Sequence, residues 1–291
     1  MKNPIDFNDS LLDDYVTTGP SLQDSCGSWY KPSSFDQSMH IAESDDNVSV
    51  LCKTDTVLEF FQIMRNYPRL KKRVVTQMSD YSIDSHLVSL RPPNITKWYA
   101  INSTHDDPAV VPIPLGLGHI YCPVTVKMHH IKTVDTKAVR SKLLYINHRP
   151  STFPSERQPL LDMFLAREAN GETWFTIGSN RKGNTEVERG GGGSDDVILS
   201  NLKEMVEHKF VLCPRGNGVD THRLWEALYS RTVPVVRYET AHRNFRDLPI
   251  LFIDNWNEVT EEFLTRKYEE MAAQKWDYSK MSAFWWKTQF R

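Results

Sequence analysis

Residues Phe210 to Val236, FVLCPRGNGVDTHRLWEALYSRTVPVV, constrain the fold of this chain more than any other stretch. They read as strand, glycine loop, helix, strand. The apolar run Phe210 to Cys213 breaks at Pro214, the loop carries Gly216 and Gly218, and Asp220 stands where a helix N-cap is expected. Leu224, Ala227 and Leu228 form the apolar stripe of the helix, and Val233 to Val236 is a second buried strand. Such a unit turns a helix N-terminus, with its unpaired backbone N–H groups, toward the loop mouth, a setting suited to an anion such as a diphosphate. Arg223 lies in the first helical turn, where the helix dipole disfavours a cation by about 0.3 to 1 kcal/mol. Glu226 follows three residues later on the same face, away from the apolar stripe. One reading has Arg223 on a phosphate oxygen and Glu226 on ribose hydroxyls. The other is a surface ion pair of little energetic weight.

The rest of the chain repeats the alternation. Strands are expected at Val48 to Cys52, Val74 to Gln77, Lys97 to Ile101 and Val110 to Ile113, with a helical pattern from Val57 through Phe60, Phe61 and Met64. A second series begins at the strand Lys142 to Ile146 and continues with a helix from Pro159 to Ala169, a strand at Trp174 to Ile177 and a helix from Leu199 to Glu207. The Phe210 to Val236 unit, a strand at Ile250 to Ile253 and a closing helix from Glu258 to Ala273 complete it. This predicts an α/β protein with parallel sheets covered by helices, in two halves of 1–135 and 136–291 divided in the polar stretch Thr133 to Val139. At 291 residues and 40% hydrophobic content, the chain suffices for two ordinary cores. Phe7, Tyr15, Trp29 and Tyr30 predict that the polar first 50 residues pack onto something, and the basic run Arg69 to Arg73 reads as a solvated helix end. Trp285, Trp286 and Phe290 make the last residues too aromatic for a free tail. They are expected to return to the N-terminal half.

Open α/β sheets bind ligands beyond the carboxyl ends of their strands. Asp80, after the strand RVVTQM, and the loop from Cys213 to Asp220 both fall at such ends, one in each half. The run Cys213-Pro214-Arg215-Gly216-Asn217-Gly218, then Asp220, Arg223, Trp225-Glu226-Ala227-Leu228 and Pro234-Val235-Val236, resembles the signature of exostosin-type glycosyltransferases. Arg231-Thr232 departs from it, because the family usually places a glycine and a small residue there. Ser79-Asp80, Cys52-Lys53-Thr54-Asp55 and the proline loop Val111 to Gly116 resemble N-terminal features of the same family, and the likeness covers about two thirds of the chain. The proline loop is read as structural.

The resemblance implies a GT-B arrangement of two Rossmann-like domains facing a cleft, and an inverting transfer from a UDP-sugar co-substrate to a hydroxyl of a glycan acceptor. It implies donor contacts at Asn147, Arg149 and Arg157 after the first strand of the second half, and along Pro214, Arg215, Gly216, Asn217, Gly218, Asp220, Thr221, His222, Arg223 and Glu226. Arg157 and Arg223 would neutralise the leaving diphosphate. Arg237 and Tyr238 are weaker candidates for the base pocket. The transfer needs a base for the acceptor hydroxyl, and Asp80 is the candidate, with Asp106, Asp107, His86 and His105 as alternatives and a local turn-forming role as the structural one. No Asp-x-Asp spacing occurs, so no metal cofactor is expected. Competing functions are a UDP-sugar epimerase or hydrolase of the same fold and an inactive carbohydrate-binding protein, which would not need Arg157, Arg223 and Glu226 together.

With a formal net charge of −2 and no strongly basic run beyond Arg69 to Arg73, nothing points to a nucleic-acid footprint, and no nucleic-acid partner is expected. Cys26, Cys52, Cys122 and Cys213 have neither metal-ligand nor CxxC spacing and are expected as reduced thiols. No membrane span or signal peptide is legible, which predicts a cytoplasmic protein in which the triplets at Asn8, Asn47, Asn94 and Asn102 are not glycosylation sites. Membrane-tethered relatives carry an anchor that this chain lost, had removed or never possessed. The missing anchor and short length resemble the exostosin-related enzymes by which large DNA viruses, chloroviruses among them, glycosylate their capsid protein. That resemblance implies β-xylosyl transfer to a fucose-containing glycan. Gly190 to Ser194 reads either as an engineered linker or as a natural glycine loop.

Overall fold

The computed structural model describes residues 2–18, 22, 26–31, 46–119, 122, 125–178 and 195–291. The glycine run from Gly190 to Ser194 lies outside them. Among the described residues the chain is α/β, with two parallel five-stranded sheets.

The first sheet contains β1 (Ser28–Trp29), β2 (Ser49–Lys53), β3 (Lys72–Gln77), β4 (Ile95–Ala100) and β5 (Val110–Pro112), in that spatial order. Its strands alternate between two apolar environments with the two-residue period of a pleat. Val50, Cys52, Val74, Trp98 and Ala100 face one cluster with α1 (Val57–Asn66), whose Val57, Phe60, Phe61 and Met64 are buried. Leu51, Val75 and Tyr99 face a larger cluster that continues through the second sheet. The basic run Arg69 to Arg73 is not a solvated helix end. Lys72 is fully buried where the β3–β4 register slips, because α1 stops at Asn66 and the run turns directly into β3.

Asn94, before β4, explains one of the four asparagine triplets. Its Nδ2 donates to the carbonyls of Met64, Tyr67 and Leu70 at 2.9 to 3.1 Å, closing the C-terminal end of α1. Asn94→Ala would leave these carbonyls without that donor, so urea unfolding is expected to show a loss of about 1 to 3 kcal/mol.

After α2 (Ser85–Ser89) and α3 (Met128–Lys132), the second sheet is built from β6 (Lys142–Ile146), α4 (Pro154–Ala169), β7 (Phe175–Ile177), α5 (Asp195–Val206), β8 (His208–Leu212), α6 (His222–Tyr229), β9 (Val233–Arg237) and β10 (Leu251–Ile253), in the strand order β10-β9-β8-β6-β7. The order reverses at β6. β7 pairs on one side of it and β8 on the other.

The two ends of the chain cross between the sheets. Following α7 (Glu261–Ala272), α8 (Ala283–Gln289) returns to the first sheet. There Phe290 packs on Tyr99 with ring centroids 4.8 Å apart, and the Tyr99 hydroxyl donates to the Gln289 carbonyl at 2.7 Å. The aromatic tail therefore packs on the face of the sheet that carries Tyr99, opposite the one that α1 packs against. In the other direction, Val16 N–H donates to the Tyr229 hydroxyl at 2.9 Å, and Phe7 lies under the Arg231 guanidinium at 3.9 Å.

Arg231 also accounts for the departure in the exit turn of α6. It adopts the left-handed region at φ 60, and the Arg231 and Thr232 N–H groups bond to Leu228 and Ala227 carbonyls, a glycine-type helix ending made with an arginine. The strain is offset because the buried guanidinium donates to the Phe7 carbonyl at 3.0 Å and to Asp9 at 2.6 Å.

His208 and His242 are buried in this half, and burial lowers the pKa of each to about 4. The folded chain then binds fewer protons than the unfolded one. Stability is complete above about pH 6.5 and falls as pH drops toward 4, by on the order of 3 kcal/mol per histidine. Denaturation at pH 7 and pH 4.5 should differ in that direction, and His208→Gln should reduce the difference.

Candidate functional site

A strand-order reversal opens a crevice at the carboxyl end of a parallel sheet, because the loops leaving the two flanking strands diverge to opposite faces. Here the flanking strands are β6 and β8, and they release Asn147 to Arg149 and Cys213 to Gly218 at the same edge. The first sheet contributes the turn after β3, where Met78 at φ 60 redirects the chain into Ser79 and Asp80. Between them lies a cleft of about 1000 Å³.

Asp80, Asn147, Arg149, Arg157, Pro214, Gly216, Asn217, Gly218, Asp220, Thr221, His222, Arg223 and Glu226 all line this cleft. Arg215 does not. Its guanidinium stacks over Phe153 at 4.5 Å and turns back on its own loop. Asp106, Asp107, His86 and His105 are absent from the cleft wall; Asp106 pairs with Arg243, and Asp107 accepts the Ala109 N–H at 2.7 Å. Arg237 lies in a separate groove, paired with Glu156 at 3.2 Å, and Tyr238 packs on Phe252.

Asp80 is exposed, and its Oδ2 lies 3.4 Å from Asn217 Nδ2. This long contact joins the strand end of one sheet to the glycine loop of the other.

Arg157, at the first turn of α4, is buried and shapes the loop. Its Nε donates to the Arg215 carbonyl at 2.7 Å, one terminal nitrogen to Pro214 at 3.0 Å and the other to Arg149 at 3.1 Å. It holds the loops after β6 and β8 together and keeps a positive charge at the cleft floor. The glycines fit the same close packing: a Cβ on Gly216 would lie 3.3 Å from Thr152, and one on Gly218 would lie 2.8 Å from Asn102.

Asp220 is not the N-cap of α6. Thr221 holds that position, with no side-chain cap bond, so the helix N-terminus opens on the cleft. The Asp220 carboxylate is used elsewhere: Oδ2 accepts the Leu115 N–H at 2.8 Å, Oδ1 accepts the Thr221 N–H at 2.8 Å, and Trp225 Nε1 donates to both oxygens. Its backbone N–H donates to Asn102 Oδ1 at 2.9 Å, and Asn102 Nδ2 donates to the Ser79 carbonyl at 3.1 Å. Burial lifts the Asp220 pKa to about 6 against the downward pull of those donors and of His222.

The helix face with Arg223 and Glu226 packs against the N-terminal half rather than forming a solvent-exposed ion pair. Glu226 is buried, with Oε1 accepting the Val126 N–H at 3.0 Å and Oε2 3.2 Å from Arg223 Nε. His222 Nδ1 meets the Gly116 carbonyl at 2.8 Å. Asp220, His222 and Glu226 thus clasp the loop carrying Leu115 and Gly116 and the segment at Val126, while Arg223 remains at the cleft wall. The proline loop has the structural role expected of it.

Asn102 is the main residue missed by sequence reasoning. It bridges both halves from the left-handed region at φ 56, a conformation asparagine tolerates. Its place just after a strand end was the available signal. Trp29, His119 and Cys122 also line the cleft and carried no motif.

All four cysteines are free. Among the described residues, His129, His130 and Asp195 each bring a ligand atom within 4.8 Å of the others. His130 does not suit a metal there. Its Nδ1 accepts the Lys127 N–H at 3.0 Å, so the neutral ring carries its proton on Nε2, the atom facing Asp195 at 3.3 Å, with no lone pair to donate. None of the three lines the cleft.

No helix among the described residues is long and apolar enough to cross a membrane. No protein-family model matches the chain, and no curated protein matches it.

Proposed function

We propose that this chain is an inverting glycosyltransferase of the GT-B type, with an acceptor half at 1–135 and a donor half at 136–291, that moves a sugar from a UDP-sugar to a hydroxyl of a glycan. The observation that carries the reading is the meeting of Asp80, from the end of β3, with the glycine loop and the open N-terminus of α6 across one cleft. The cleft volume suits a nucleotide sugar.

In this reading the donor diphosphate lies at Thr221 to Arg223, where the helix dipole and the Arg223 guanidinium meet its charge. Departure of the diphosphate leaves an oxocarbenium-like sugar, and preorganised positive charge from Arg223, with Arg157 beneath the loop, stabilises the leaving group. Asp80 on the opposite wall takes the proton from the acceptor hydroxyl as that oxygen bonds to the anomeric carbon, which inverts its configuration. Glu226 keeps lone pairs beyond those used by Val126 and Arg223, so it can accept from ribose hydroxyls. The resemblance to viral exostosin-like enzymes points to xylose as the sugar and a fucose-containing glycan as the acceptor.

A donor-hydrolysis screen across UDP-xylose, UDP-glucose, UDP-galactose, UDP-glucuronate and GDP-sugars tests this. The expected result is slow release of UDP from one UDP-sugar, accelerated by glycan acceptor. Turnover only of GDP-sugars would overturn the uridine assignment, and a rate indifferent to any acceptor would make the protein a hydrolase or epimerase.

A further inference from the structure

Trp29 ends a row of side chains that runs across the first sheet. The register sets Trp29 beside Leu51, Leu51 beside Val75 and Val75 beside Tyr99, so all four point to one face, the one toward the larger apolar cluster. Leu51, Val75 and Tyr99 are buried there. Trp29, on the strand at one end of the spatial order, is only half-buried and lines the cleft. Among the described residues of the cleft wall it is the only phenylalanine, tyrosine or tryptophan.

The ordinary role of such an indole is to cap the core beneath it, and two observations go further. One is its company on the wall, Met78, Ser79 and Asp80 from the turn after β3. β2 separates β1 from β3, so Trp29 and its row-mate Val75 stand two strand spacings apart, about 10 Å, and the chain leaving β3 turns at Met78 into Asp80. That leaves room for a sugar ring between indole and carboxylate. The other is what lies over the ring. Lys31 is exposed and places its ammonium 4.4 Å from the Trp29 ring centroid. An ammonium keeps its hydration, so the ring face beneath it is reached from solvent, and an exposed cation–π contact is weak enough for a ligand to replace.

We propose that Trp29 is the stacking platform of the acceptor: a pyranose ring lays its C–H face on the indole and turns a hydroxyl toward Asp80. The acceptor role rests on the glycosyltransferase reading above, whereas the sugar site itself rests on the geometry of the wall. The ring oxygen and hydroxyls of a pyranose draw electron density from its C–H hydrogens, and the face of an indole is the negative side of its quadrupole, so the two attract while the hydroxyls stay at the rim. The displaced Lys31 ammonium offers three donors to those hydroxyls. The glycine loop and the start of α6 belong to the second sheet, so Trp29 serves the acceptor without touching the groups assigned to the donor.

Fluorine NMR of the full chain labelled with fluorotryptophan, titrated with methyl α-L-fucopyranoside and separately with methyl β-D-galactopyranoside, tests the platform. The signal missing from Trp29→Phe belongs to Trp29. It is expected to move saturably with at least one of the sugars, while the signals of the fully buried Trp98, Trp225 and Trp286 stay in place. Trp29→Leu keeps apolar packing without a π face and should weaken sugar binding by about tenfold or more; Trp29→Phe should cost less than about threefold, and both should bind UDP within about twofold of the wild type. In transfer assays Trp29→Leu should raise the acceptor KM by about tenfold and leave donor hydrolysis unchanged, a split that a merely structural tryptophan would not produce. A Trp29 signal that neither sugar moves, or a folded Trp29→Leu with wild-type sugar affinity, would overturn the proposal; the wild-type titration decides even where Trp29→Leu does not fold. The two readings fail separately. A moving Trp29 signal in a chain that binds no UDP would keep the sugar site and remove the transferase, and UDP binding with an unmoved Trp29 would do the reverse.

Discussion

Asp80→Ala is expected to lower the glycosyl-transfer rate by about 10² to 10⁴ fold while leaving UDP affinity within about twofold. The separation follows from where Asp80 sits. Its carboxylate is exposed, comes from the first sheet, and makes one long side-chain contact, 3.4 Å to Asn217. The groups assigned to the diphosphate belong to α6 and the loop after β8. Removing the carboxylate therefore deletes the proton acceptor without disturbing the fold or the donor wall. Transfer assayed with acceptor, calorimetry with UDP and a thermal melt on the same variant decide the matter. Transfer at the wild-type rate would sink the base assignment, and weakened UDP binding would mean that Asp80 serves the donor.

Asp220→Ala is expected to be the most damaging single change to stability, at about 3 kcal/mol or more, since an unsatisfied buried polar group costs about 1 to 3 kcal/mol. It removes the acceptor of three donors at once, the N–H groups of Leu115, Thr221 and Trp225. Two of these lie in the second half and one in the first, so the clasp between the halves loosens as well. Asp220→Asn is a sharper control, because the amide keeps the shape but presents its own donors to groups that already donate. The pH dependence carries a further signature. The folded pKa of about 6 lies above the ordinary aspartate value, so the folded chain binds more protons than the unfolded one there. Wild-type stability contributed by this group is present below about pH 4 and is lost as pH rises through 6; that segment of the curve should vanish in either variant. Urea titrations from pH 4 to pH 7 measure it, and a variant as stable as the wild type would remove Asp220 from the clasp.

The strands were legible because buried parallel strands are short apolar runs. Val48 to Cys52 and Phe210 to Cys213 announced β2 and β8 to within two residues. Helix starts were harder. α4 begins at Pro154, in the first helical position where a proline is tolerated, and runs on through Pro159, an interior proline that reads in the sequence as a helix start. α5 begins at Asp195, in an acidic first turn that suits the helix dipole but lacks apolar periodicity.

The residues of the cleft were legible as a set because they occupy strand ends and the start of α6. Their individual bonds were not. Whether Glu226 faces a ribose or the Val126 backbone, and whether Arg157 faces a phosphate or three loop carbonyls, depends on partners far away in sequence, and no local pattern encodes them. The same holds for Asn102, which reaches Asp220 across 118 residues. Arg231 shows the reverse case: the departure from glycine was visible, but its compensation by Phe7 and Asp9 was not.

Calorimetric titration with UDP of the wild type, Asp80→Ala and Arg223→Gln tests most directly the claim that the cleft holds a nucleotide sugar at the start of α6. The account predicts saturable one-site binding that Asp80→Ala preserves and Arg223→Gln weakens by tenfold or more, about 1.4 kcal/mol, for loss of a charge-assisted phosphate contact. Absence of binding heat in the wild type, or equal affinity in the folded Arg223→Gln protein, would contradict it.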